Sequence, residues 1–481
     1  MGVFCEGRSM SGYRQLWVEG ALLNKQELYS YLEKTSASHV IGSKSDRNTY
    51  PIPRMMENYM VIKEVYNLLN EHVKNKVQIH PAGEWLLDNF YAIEEVVKSI
   101  EKEMTIKKYK KFVGISKGKY QGFARIYVLA SQIVNYTENK INAEVLEESL
   151  IAYQTKKNLS MDEIWNIGIF MQIAIIENIR QIAENIYISQ YEKMKVESII
   201  ERLVEKKPRS ERKYNLYKGP KNIKIKMFDI KYPFVEYLSY KLKKFGKKTE
   251  KYLKILEEEV EKTGTTVSEI TKREHFDIAV NKILIGNAIT TMKKLQRINF
   301  LEIFEKINKV EEILKADPAK VYEQMDYNTK ESYRNTIKEI SKKSKISEMY
   351  IAKKLLELAN NEYDKNGKSK KAHIGYYLQR ENQNILFEKL QYKEQKVILN
   401  ENKKVKLYIS FIIILTTLIS GIVAMYYLQH INNMWIRIIT FLIMLLPVSE
   451  FVIQLLQYIL GKIVKPNLIP KLDFDNRNTR K

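Results

Sequence analysis

The chain has 481 residues, 45% of them hydrophobic and 28% charged, with 18 glycines, 10 prolines and one cysteine. These proportions exclude a disordered polymer and an intramolecular disulfide framework, and predict a poorly punctuated, strongly helical chain with room for two or three domains. The net charge of +23 arises from 80 Lys and Arg against 57 Asp and Glu. It is spread among Glu-containing helices, which reads as a solvated lysine-rich surface, with anionic lipid as a further candidate partner. No recognition motif or zinc spacing supports nucleic acid as a partner. Cys5 suits a reducing compartment; no apolar run precedes it as a lipoprotein site would require.

In chain order, residues 1–53 are weakly patterned apart from a helical stretch at Glu27 to Lys34. Residues 54–204 form the first predicted helical domain. Within it His80 to Glu95, HPAGEWLLDNFYAIEE, places Pro81 where a helix can open and Glu84 near the positive end of its dipole. Leu86, Phe90, Ile93 and Val97 follow at helical spacing as one apolar face, with Glu84, Asp88 and Glu95 on the other side. Ser160 and Glu163 form a capping box that opens another helix. From Ile164 to Ile176 that helix is apolar nearly all round yet too short to span a bilayer, so it is expected in a core, anchored by Trp165 and Phe170.

Residues 205–226 are rich in positive charge and carry two prolines, and are expected to be a basic linker. The second predicted helical domain covers 227–400. Thr266 and Glu269 repeat the capping box, and Asp317-Pro318 reads as a helix start, cap then first turn.

A transmembrane helix is predicted at 408–428 and a second at 434–464, followed by a tail at 465–481. Ser410, Thr417, Gly421 and Ala424 share a face of the first, a small-residue packing surface. Lys403, Lys404 and Lys406 precede the hairpin and Lys462, Lys465 and Lys471 follow it. The positive-inside rule then puts both ends, and the soluble N-terminal part, in the cytoplasm, giving a multi-pass protein of the inner membrane. In the second helix Glu450, Gln454 and Gln457 stack at i, i+4, i+7. A carboxylate facing lipid is costly, so either this face meets protein, water or sugar, or Pro447 bends the helix and lays its second half at the interface.

The fold class expected is therefore all-α: two cytoplasmic helical bundles followed by a transmembrane helical hairpin. The histidines, His39, His72, His80, His275, His373 and His430, have no metal-ligand spacing, and no phosphate loop, nucleophile elbow or dinucleotide fingerprint occurs. The sequence therefore assigns no catalytic, cofactor-binding or metal residue.

HPAGEWLLDNFYAIEE closely resembles a signature in the N-terminal region of the bacterial cyclic β-1,2-glucan synthases, large membrane proteins that polymerise glucose from UDP-glucose. Further blocks fit the same family in the same order: GFARIYVLA (Gly122 to Ala130), Ala152 to Ala183, TGTTVSEITKREH (Thr263 to His275), GNAITTMKKL (Gly286 to Leu295), Met325 to Ser341, HIGYYL (His373 to Leu378), LLPVSEFVIQLL and IPKLDF. The resemblance implies that a glycosyltransferase region follows IPKLDF and a carbohydrate-phosphorylase-like region lies beyond it. Only Asp475 to Lys481 remain here, too few for a nucleotide-sugar domain. Gln-x-x-Arg-Trp, which such transferases use for the acceptor, is absent, and the Asp-x-Asp of Asp473-Phe474-Asp475 lies in the tail. The expectation is thus a membrane-anchoring, organising front end of such a synthase, partnered by the bilayer and by a catalytic domain in cis or trans. The alternative is a stand-alone basic membrane-tethered scaffold or docking subunit.

Overall fold

The computed structural model describes residues 22–42, 44–74, 77–203, 231–392, 401–427, 433–463 and 470–472. The expected linker 205–226, Cys5, His430 and Asp473-Phe474-Asp475 lie outside the described residues. Among the described residues no strand forms, and extended backbone pairs only at isolated bridges: Ile41 with Ile115, Gly114 with Ala124, and Met325 with Leu472. The chain divides into two compact units, Met1–Lys309 and Val310–Lys481.

The first unit carries α1 (Lys25–Ser38), α2 (Ile52–Lys74), α3 (Pro81–Glu103), α4 (Ile106–Tyr109), α5 (Arg125–Tyr136), α6 (Ala143–Gln154), α7 (Met161–Leu203), α8 (Tyr232–Phe245), α9 (Glu250–Glu261), α10 (Val267–Arg297) and α11 (Phe300–Ile307). The long α7 is its axis: α2, α3, α5, α8 and α10 all pack on it. Ser160 starts it as the sequence predicts, its N–H donating to Glu163 Oε2 at 2.8 Å. Ile164, Ile167, Phe170, Met171 and Ile173 to Ile176 are buried, because helices cover α7 on several sides. Trp165 departs from expectation. It is 38% exposed and stacks on Phe304 with centroids 4.6 Å apart, sealing the edge of the core rather than anchoring its centre.

The opening of α3 matches the sequence reading closely. Pro81 sits in its first turn and His80 is the cap, its Nδ1 accepting the Ala82 N–H at 3.1 Å. Leu86, Phe90, Ile93 and Val97 are buried, while Glu84, Asp88 and Glu95 are exposed. The Thr266–Glu269 capping box likewise opens α10.

The helical stretch expected at Glu27 to Lys34 lies within α1 (Lys25–Ser38). Asn24 and Glu27 make a capping box for α1, which buries Leu28 and Leu32 and packs on α6. The expected boundary near residues 204–227 does not coincide with the compact units. Helices α8 and α10 pack on α7, and α10 on α3, so the division falls at Lys309.

The second unit carries most of α12 (Lys309–Lys315), then α13 (Tyr327–Ser344), α14 (Glu348–Asn366), α15 (Gln383–Lys389), α16 (Glu401–Tyr427) and α17 (Met434–Ile463). Asp317-Pro318 starts no helix: residues 316–320 are turn and bend, leading to a short 3-10 turn at Tyr322–Gln324. The carboxylate of Asp317 caps loop amides instead, as described below.

Among the described residues one helical stretch is long and apolar enough to cross a membrane, Met434–Ile459, of which 6% is buried. The apolar run Ile409–Val423 in α16 is shorter, about 22 Å at 1.5 Å per residue against a core of about 30 Å. Among the described residues one candidate span, not the expected pair, is therefore present, and they give the multi-pass expectation no second span to rest on.

Helix α16 packs along α17. The buried small polar residues of α16 are Thr416 and Ser420, one position round from the face expected. Ser410 and Thr417 are exposed, and a Cβ on Gly421 would meet nothing within 4 Å. Thr417 can face outward because its hydroxyl donates back to Ile413 O at 2.8 Å.

Candidate functional site

A polar concavity lies in the first unit, where two helix starts meet two long helices. It is a cleft of about 520 Å³. The start of α3 contributes His80; α7 contributes Asn185, Ile188 and Ser189; the start of α8 contributes Lys231, Tyr232 and Pro233. One face of α10 supplies Glu274, Asp277, Ile278, Asn281 and Leu284.

The local sequence dictates these placements. Pro81 and Pro233 each open a helix, so the residue before the first turn of each is held at the cleft rim. Residues spaced i, i+4 share a helix face, which brings Asn185 and Ser189 forward on α7, and Asp277 and Asn281 on α10. The two faces touch: Asn185 Nδ2 donates to Asn281 Oδ1 at 3.2 Å.

The electrostatics are those of a partly dry polar site. Burial pushes the Glu274 carboxyl up to about 7; Lys193 opposes this, while Glu236 and Asp277 reinforce it. Burial pushes His80 down to about 4, helped by Lys193, so at neutral pH its ring is an uncharged acceptor for the helix. Lys193 is itself lowered by burial, against the attraction of Glu236 and Glu274. Glu274 accepts no hydrogen bond among the described residues. The Ser189 hydroxyl, in a residue 2% exposed, has no partner among them either.

Glu274 and His275, neighbours in the sequence, part company. Glu274 turns into the cleft, while the His275 side chain is largely exposed, its Nε2 3.5 Å from Glu236 Oε1. His39 and His72 are buried structural groups. His39 Nδ1 lies 2.8 Å from Tyr153 OH, and burial, with Arg125 and Lys157, pushes the ring down to about 4. His72 lies 3.3 Å from Gln190 Nε2.

A second polar cluster joins the HIGYYL and Met325–Ser341 blocks in the other unit. His373 Nδ1 is 2.8 Å from Asp317 Oδ2 and its Nε2 is 3.2 Å from Tyr333 OH. Asp317 also accepts the Ile374 N–H at 3.1 Å and the Val321 N–H at 3.3 Å. Burial alone would raise this carboxyl, but His373 and the two amides outweigh it and hold the group below its ordinary value. A Cβ at Gly375 would collide with the Tyr333 hydroxyl and His373 Nε2, which explains the glycine in that block. Beside it Glu311 accepts from Tyr322 OH at 2.8 Å and from Arg334 Nη1 at 3.1 Å. Apart from Glu311 Oε1, which is buried without a partner among the described residues, the hydrogen bonds named here run among these groups and to loop backbone, so the cluster acts as a clamp on the Asp317 turn.

A third pairing links GFARIYVLA to the start of α7. Arg125 Nε donates to Glu163 Oε1 at 2.9 Å and its Nη2 to Glu163 Oε2 at 2.5 Å, with both side chains almost fully buried.

In α17 the side chains Glu450, Gln454 and Gln457 are exposed, on the side away from the packed stripe that includes Val452. Among the described residues no group of three or more His, Cys, Asp or Glu is placed to hold a metal ion. Sequence reasoning passed over Ser189, Asn185 and Asn281. The available signal was a pair of polar i, i+4 steps on two otherwise amphipathic helices.

No family model matches the chain. Over 307 residues it is 22% identical to cyclic beta-(1,2)-glucan synthase NdvB of Rhizobium meliloti (strain 1021). The match covers 63% of this chain and 10% of that protein, so the chain spans about a tenth of the length of the relative it matches.

Proposed function

We propose that this chain, a relative of the cyclic β-1,2-glucan synthases, is the membrane-anchoring and organising N-terminal part of a glucan-synthesising glycosyltransferase and transfers no sugar by itself. The observation that carries the anchoring role is α17. From Met434 to Ile459 it is apolar and almost wholly unburied, with Trp435, Ile443, Leu446 and Phe451 all more than half exposed. Such a surface is stable in hydrocarbon and a liability in water. Helix α16 packs along it. The family supplies the chemistry: glucose transfer belongs to a catalytic domain that this part positions at the inner leaflet, in cis or in trans.

The test is membrane partition and transfer in one preparation. The tagged whole chain is expected in the membrane fraction after alkaline carbonate washing, and those membranes should transfer no glucose from UDP-glucose. Release by carbonate would overturn the anchor. Glucan formation by the chain alone would overturn the division between organiser and catalyst.

A further inference from the structure

The cleft between α7, α8 and α10 has a chemistry of its own. Its polar lining mixes groups that both donate and accept, Asn185, Asn281 and Ser189, with acids and Lys231. Ile188, Ile278, Leu284 and the Tyr232–Pro233 pair supply apolar wall between them. Charge is close to balanced: Lys231 lies 3.8 Å from Glu192, His80 is uncharged at neutral pH, and Glu274 is half protonated there.

A phosphorylated or sulfated ligand would meet Glu274 and Asp277 without a cluster of arginines to hold it. A cation would draw Glu274 toward its ionised form, whereas its surroundings push it the other way. A neutral molecule with hydroxyls round its rim and C–H surface on its faces matches both the polar and the apolar lining. The volume is within the range of small-ligand sites, roughly 300–1,000 Å³.

One group lacks the partner that buried polar groups ordinarily have. The Ser189 hydroxyl is 98% buried by residue and unbonded among the described residues, and Glu274, 5% exposed as a residue, lines the same cleft. Leaving such a hydroxyl unmet costs on the order of 1–3 kcal/mol, so the cleft is suited to a ligand that satisfies it.

We infer that this cleft binds a short segment of neutral glucan, with the Ser189 hydroxyl, Glu274 carboxyl and Asn185–Asn281 pair meeting sugar hydroxyls against the Tyr232–Pro233 wall. The inference rests on the proposed relation to glucan synthesis for its choice of sugar. The cleft would then hold product or acceptor without acting on it.

The experiment is a calorimetric titration of the whole chain, in detergent, with linear β-1,2-gluco-oligosaccharides of two to six units. UDP-glucose and maltotetraose are titrated in parallel. Saturable binding of the β-1,2 series is expected, weakened at least tenfold by Ser189→Leu, which fills the cleft, and by Asn281→Leu. Glu274→Gln, which keeps hydrogen-bonding capacity, should bind within about threefold of wild type. Far-ultraviolet circular dichroism and thermal melting identify any variant that fails to fold; Asn281→Ala then replaces it.

Absence of saturable binding to the wild type, equal binding by the cleft variants, or binding of UDP-glucose alone would each overturn the assignment. Carbonate resistance and the transferase assay do not depend on the cleft. A membrane-anchored chain that binds no glucan therefore rejects this site alone, and a glucan-binding chain released by carbonate rejects the anchor alone.

Discussion

Helices α7 and α17 look alike in one dimension and live in opposite surroundings. From Ile164 to Ile176, α7 is apolar nearly all round and is buried by helices from several directions. From Met434 to Ile459, α17 is predominantly apolar and 6% buried. Hydrophobic composition therefore records that a helix must leave water, but not whether protein or lipid receives it. The polar residues mark the difference. In α7, Glu163 is paired at once by Arg125 and by the Ser160 cap, whereas Glu450, Gln454 and Gln457 in α17 are exposed on the side away from the packed stripe.

Parallel truncations should sharpen this contrast most. Phe170→Ala, in the centre of the first unit, is expected to cost about 3–5 kcal/mol in urea unfolding. Phe451→Ala, 60% exposed on α17, should cost less than about 1 kcal/mol in the same detergent solution. Equal losses would break the comparison by showing that α17 is buried after all.

The buried pair gives nearly as large an effect. Arg125→Met alone should destabilise the chain by about 3–5 kcal/mol, since it strands a buried Glu163. Adding Glu163→Leu should recover much of that loss, as measured in a double-mutant cycle.

In α17 the sign of a charge substitution depends on its face. Ile443→Arg, 65% exposed among apolar neighbours, should reduce membrane insertion by about 2.5–3.5 kcal/mol in a glycosylation-tag assay. Glu450→Leu should insert as well as or better than wild type. If the polar face serves a catalytic partner, the same substitution should nonetheless lower glucan output in cells.

The smallest expected effect concerns pH. Glu274 titrates near 7 in the folded chain against an ordinary value of 4.5. Below 4.5 it is protonated in both states. Between 4.5 and 7 the unfolded chain ionises first, so this group's contribution to stability falls as pH rises, and above 7 the full penalty is present. Glu274→Gln should therefore match wild type near pH 4.5 and exceed it above pH 7 by about 1–2 kcal/mol, allowing for water access through the cleft. His80 and His39, held near 4, act oppositely, favouring folding as pH rises through 4 to 6.5. The difference between variant and wild type isolates Glu274 from them.

Much of the architecture was legible in one dimension because it depends on near neighbours. The opening of α3 at Pro81, its buried Leu86–Phe90–Ile93–Val97 face, the Ser160 and Thr266 caps and the all-helical character are decided within one or two turns. Caps and periodicities are local physics, and the chain obeys them. What failed were inferences that needed a partner far along the sequence. Asp317 looked like a cap but is claimed by His373, 56 residues away, and by the amides of Ile374 and Val321. Arg125 finds Glu163 across 38 residues. Trp165 ends at the rim of the core because Phe304 covers it from another helix.

The cleft is of the same kind, since Ser189, Asn185, Asn281 and Glu274 are unremarkable on their own helices and become a site only where α7, α8 and α10 converge. The sequence by itself determined which segments are helical, where several of them begin and which faces must leave water, because each depends on residues a few positions apart. Tertiary structure decided what each face meets, since burial and the pairing of polar groups depend on which distant segments arrive beside them.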